Sequence, residues 1–121
     1  MLTGALVVES LRIGAVLEGV SLVVRRISRA EVTDVSADQP SVWTLLEFAA
    51  DSASAEELAR SLADALDGPG WYASFETEQA GRVFVVFPGK VFRYTRGDES
   101  ARADAVAHAL AAGVPESQCD W

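Results

Sequence analysis

Apolar and polar positions change period several times along this chain, and each change marks an element. From Val20 to Arg29, alternation puts Val20, Leu22 and Val24 on one face and Arg25 and Arg29 on the other. The preceding Leu6–Ile13 is also β-rich, and Gly14 or Glu18-Gly19 supplies a turn, so an N-terminal β-hairpin is expected. Ala37-Asp38-Gln39-Pro40 reads as a loop. Val42–Ala49 is apolar on both sides, with Val42, Leu46 and Phe48 on one and Trp43 and Leu45 on the other, as in a strand covered on both faces. A helix follows. Ser54 and Glu57 have capping-box spacing, and Ala55, Leu58, Ala59, Leu62, Ala65 and Leu66 form one apolar stripe. Gly68 suits the left-handed position after the helix, and Pro69 forbids its continuation.

Trp71–Glu78 then alternates, with Trp71, Ala73 and Phe75 inward and Tyr72, Ser74, Glu76 and Glu78 outward. Val83–Phe87 and Lys90–Thr95 flank Pro88-Gly89, a pair suited to a type II turn. Asp98 is positioned to cap a second helix with the stripe Ala103, Val106, Ala107 and Leu110, stopped by Gly113 and Pro115. Trp121 is expected to dock on the body of the domain. The reading is one α+β domain, residues 1–121, with an N-terminal β-rich segment (1–33) and a β-α-β-β-β-α core (41–121). Its expected architecture is a two-layer sandwich, a mostly antiparallel sheet with both helices on one face. From Val42 onward the topology resembles a ferredoxin-like domain missing its last strand. That likeness implies a fold and no function.

Composition narrows the classes. Half of the residues are hydrophobic and 23% charged, which suits a globular chain and not a disordered one. No stretch approaches the roughly 20 apolar residues of a membrane span. Cys119 is the only cysteine, so neither an intrachain disulfide nor a thiolate zinc site is expected, and a cytoplasmic location is. The net charge of −8 argues against nucleic-acid binding, which needs a basic face. That charge is segregated. Residues 34–80 hold ten acids against Arg60 alone, whereas residues 81–96 hold Arg82, Lys90, Arg93 and Arg96 and no acid.

No phosphate loop, nucleophile elbow, HExxH or paired cysteines are present, so no catalytic residue, metal ligand or cofactor site is assigned. The single histidine, His108, is expected on the solvent side of the second helix. Glu47 is an acid inside an apolar strand. It is either ion-paired with the Arg25–Arg29 region or a group in a cleft. Arg93 and Arg96 either pair with Glu76 and Glu78 across the sheet or bind a small anion beside the start of the second helix. Tyr72, Phe84 and Tyr94 are expected on the helix-free sheet face, an aromatic patch calling for a cover.

These features lead to a non-enzymatic interaction or regulatory domain, self-associating as a homodimer through that face, as the first functional expectation. A second is a small enzyme or ligand-binding domain. Its pocket would lie between the sheet and the N-terminal hairpin, with Glu47, Tyr72, Arg93, Tyr94 and Arg96 as polar groups. A third is an acidic inhibitor that masks a basic partner.

Overall fold

Six strands form one antiparallel sheet in the computed structural model, which covers residues 1–121. They are β1 (Leu2–Val7), β2 (Val23–Glu31), β3 (Val42–Ala50), β4 (Ala73–Thr77), β5 (Arg82–Phe87) and β6 (Lys90–Thr95). The helices are α1 (Ala55–Ala65), between β3 and β4, and α2 (Glu99–Ala111), after β6. The α+β composition and the antiparallel sheet follow the alternation in the sequence.

The spatial order is β2-β3-β1-β4-β5-β6. β1 lies between β3 and β4 and is antiparallel to both, so β3 and β4 run parallel with a strand interposed. The N-terminal hairpin is therefore not formed: β3 separates β1 from β2. Because β1 fills the slot between β3 and β4, the ferredoxin-like relation is not confirmed.

The close approach of β1 to its neighbours depends on Gly4. It faces Phe48 of β3 and Phe75 of β4, and a Cβ there would lie 2.5 Å from the Phe75 Cβ. With no side chain at Gly4, the two phenylalanines pack over the bare backbone.

The helices lie on opposite faces of the sheet, which corrects the one-face arrangement. Alternation along β5 shows it: Phe84 and Val86 join the cluster under α1 with Leu58, Ala59 and Leu62, whereas Val83, Val85 and Phe87 join Ala105 and Ala109 of α2. A strand buried on both sides reads as a run of apolar residues, and Val83–Phe87 does so. The larger cluster also takes Leu2, Leu6, Phe48 and Phe75, and partly buried Leu11, Leu17, Val20 and Leu22 extend it.

α1 carries the expected stripe. Its ends differ from the sequence reading. Ser54 makes no side-chain cap; the chain enters through a 3-10 turn at Ser52–Ser54, where Asp51 accepts a hydrogen bond from Ala53 N. At the far end Leu66 is already extended because it pairs with Leu11, while Asp67 N donates to Ser10 O. Gly68 accordingly takes no left-handed cap. The Pro88-Gly89 turn does form, with Gly89 at φ +71°.

α2 begins where expected, with the Asp98 carboxylate accepting from Ala101 N. Its buried residues are Ala105 and Ala109, while Ala103, Ala107 and Leu110 are exposed. His108 is thereby rotated towards the sheet, its ring 4.6 Å from Phe87 and 5.3 Å from Phe92. In a helix of alternating alanines the hydropathy barely varies with angle, and the side presented to the sheet is set by packing.

No helix is long and apolar enough to cross a membrane.

Candidate functional site

α2 packs on β5 and β6, and the tail after it extends the cover to Tyr72, just before β4. The tail is fixed by Arg102, whose guanidinium donates to the carbonyl oxygens of Trp121 (2.7 Å) and Cys119 (3.0 Å). Trp121 is buried, as expected, edge-on to Tyr72 with ring centroids 5.2 Å apart. The Tyr72 hydroxyl donates to the Gln118 carbonyl at 2.9 Å. Burial, with Asp120 and Cys119 adding to it, pushes the Tyr72 phenol well above its usual range.

Beyond the tail, the same face of β1, β2 and β3 carries no helix. A groove crosses it, formed by two adjoining cavities of about 410 and 330 Å³ that share Ala5, Ser74 and Asp120 in their walls. Its apolar end is lined by Val7, Ala30, Trp43, Leu45, Trp71 and Tyr72. The Trp43 and Trp71 rings sit 5.5 Å apart. Gln39 and Gln118 brace this end: Gln39 donates to Gly70 O, and Gln118 donates to Gln39 and to Asp34 O.

The other end is charged. Arg25, Arg26, Glu47, Glu76, Arg96 and Asp120 line it. Arg96 and Glu76 form a two-pronged pair in which the guanidinium hydrogen bonds lower the Glu76 pKa. Arg26 faces Glu47 more loosely, at 3.6 Å and without a hydrogen bond. The ion pair expected for Glu47 is thus present, and its side chain is 40% exposed.

β2 contributes an irregularity that its sequence conceals. Val24 pairs with Phe48 and Arg26 with Glu47, so Arg25 is an extra residue in a β-bulge. Plain alternation would send Arg25 and Arg26 to opposite faces; with the bulge, both line the groove. Arg25 reaches only the Met1 sulfur, a weak acceptor, at 3.3 Å.

Of the five residues picked from the sequence, Glu47, Tyr72 and Arg96 come together around this groove. Arg93 does not. It lies on the α1 face and pairs with Glu56 at 2.8 Å, in place of the strand acids expected for it. Tyr94 is packed against α2, its buried hydroxyl without a partner and its pKa raised by that burial. The sequence reading missed Arg25, Arg26, Trp43 and Trp71 as site residues. The tryptophans were visible as aromatic positions, but Trp43 belonged to a strand read as covered on both faces.

The aromatic residues behind the expectation of a dimer are covered within the chain, Phe84 beneath α1, Tyr94 beneath α2 and Tyr72 beneath the tail. The acids of residues 34–80 are partly neutralised, since Glu47, Glu56 and Glu76 each face an arginine. No group of three or more His, Cys, Asp or Glu side chains is placed to hold a metal ion. Comparison with protein-family models, curated proteins and solved structures gave no match.

Proposed function

We propose that the chain is a binding module that takes a small molecule with an apolar body in the groove on the open half of its sheet. The continuity of the two cavities carries this reading. Together they span several hundred Å³, the size of small-molecule sites, and join an aromatic-lined end to a charged end. The walls come from strands of one sheet and a tail held by Arg102. The charged groups are paired arginines and carboxylates, without a nucleophile–base pair, which favours binding over covalent chemistry. A cytoplasmic setting agrees with the single cysteine, Cys119, whose thiol pKa is raised by burial.

Titration with 1-octanol, followed by tryptophan fluorescence, tests the reading, because Trp43 and Trp71 line the apolar end. A saturable change is expected. Ala5→Leu, which fills the junction of the two cavities, should weaken it about tenfold, as expected for losing one well-packed apolar contact region. An unsaturable response, or one that Ala5→Leu leaves alone, would refute the assignment.

A further inference from the structure

Arginines and carboxylates are equal in number at the charged end of the groove, with Asp120 at its junction with the apolar end, but the bulge distributes them unevenly along β2 and β3. One carboxylate, Glu47, faces two successive arginines where a regular ladder would have offered it one. The other pair at this end, Arg96 with Glu76, is closed on itself by two hydrogen bonds. Arg26 makes no hydrogen bond to Glu47, and Arg25 has only a thioether. Two guanidiniums with unused N–H groups therefore stand at the rim of an apolar groove. Bulges next to binding sites commonly re-aim a side chain in this way.

Resting on the reading above, we infer that the groove selects amphiphiles with a carboxylate head, held by Arg25 and Arg26 while the apolar body lies towards Trp43 and Trp71. Guanidinium forks match a carboxylate in geometry, and the hydrogen bonds are charge-assisted. The spacing along the strands fits a short chain. Ser28 and Leu45 lie two residues from the Arg26–Glu47 row and Ala30 and Trp43 four residues from it, with registers Ser28↔Leu45 and Ala30↔Trp43. At about 3.3 Å per residue the apolar body would run roughly 7 to 13 Å from the head. Glu47 has two roles in this scheme: it holds Arg26 in place when the groove is empty, and it repels the incoming carboxylate.

The test compares three eight-carbon probes, octanoate, 1-octanol and octylamine, by calorimetry at low salt, with the full chain. Octanoate is expected to bind about tenfold tighter than either of the others, the effect of one exposed charge-assisted contact. In the double variant Arg25→Ala/Arg26→Ala that ratio should fall to one or below, because Glu47 is left without its arginine. Glu47→Gln should raise octanoate affinity several-fold, since it removes the competing charge. Equal binding of the three probes, a preference for octylamine, or a preference for octanoate that survives the arginine variant would each overturn the carboxylate assignment while leaving the groove intact. Binding of none of the three would overturn both.

Discussion

Substituting Gly4 by alanine inverts the usual rule for strands. A glycine inside a strand normally weakens it, and alanine in its place commonly stabilises by about 0.5–1 kcal/mol through the unfolded chain. Here the added methyl would lie 2.5 Å from the Phe75 Cβ, 2.8 Å from the Ser74 carbonyl oxygen and 2.9 Å from the Phe48 Cζ. Carbon atoms prefer about 3.5–4.0 Å, so at least one neighbour must move by roughly 1 Å. Only the Phe48 ring end can swing aside; the other two atoms are fixed to β4. β1 cannot slide either, because ladders hold both its edges.

Overpacking a well-filled site costs about 1–3 kcal/mol, and the immobility of β4 puts Gly4→Ala at the top of that range or beyond. Against a total stability of about 5–15 kcal/mol that is a large fraction. With a urea m-value of about 1.5 kcal/mol/M, the unfolding midpoint should drop by about 2 M. Tryptophan fluorescence during urea unfolding measures it directly. Adding Phe48→Leu should not rescue the variant, because the Phe75 Cβ and the Ser74 carbonyl remain. A Gly4→Ala protein within 0.5 kcal/mol of the parent would mean that β1 is not wedged between β3 and β4.

Two further outcomes test other parts of the fold. Glu9 accepts hydrogen bonds from Thr44 N (2.6 Å) and Thr44 Oγ1 (2.7 Å); burial opposes its ionisation, but these bonds outweigh it and lower its pKa. A depressed folded pKa gives stability that is present above the ordinary glutamate range and lost as pH falls through the folded value, so Glu9→Gln should cost about 1 kcal/mol at pH 7 and progressively less as pH falls below the ordinary glutamate range, read from urea midpoints across pH. Ala105→Leu, at a position with no exposed surface, should cost about 1–3 kcal/mol, whereas Ala103→Leu should stay within about 0.5 kcal/mol; the opposite order would reverse the rotation assigned to α2.

The elements were largely legible because their signals are local. The α1 stripe, the β5–β6 hairpin with its Pro88-Gly89 turn and the Asp98 cap each occupy a few consecutive residues, and each stands where the pattern put it. What escaped the reading is non-local. Nothing within Leu2–Val7 says that it will insert between strands about forty and seventy residues later in the chain. The side taken by α2 was hidden for a related reason. Val83–Phe87 is apolar at every position and so permits a helix on either face, and an alanine-rich helix has little apolar contrast to orient it. The one available clue was β5 itself, since five consecutive apolar residues imply two covers and not one.

The groove depends on the same two non-local events. With α2 behind the sheet, half of that face is covered and half is left open, and the boundary falls near the start of β4, where Tyr72, the residue before it, meets Trp121. With β1 central, its small Ala5 lies in the middle of the open half, opposite Glu47 on one side and Ser74 on the other, and leaves a depression there. The charge at the rim comes from a single inserted residue. Read by alternation, Arg25 and Arg26 belong to opposite faces and neither suggests a site; the bulge at Arg25 brings them to one side, where two successive arginines stand opposite Glu47. A bulge with arginines also protects an edge strand from pairing with another chain, which β2 needs, since its outer edge is unpaired. Edge protection accounts for the bulge and for the charge. It does not require both guanidiniums to line the groove that ends at two tryptophans, and that juxtaposition makes a carboxylate-bearing ligand the reading to test.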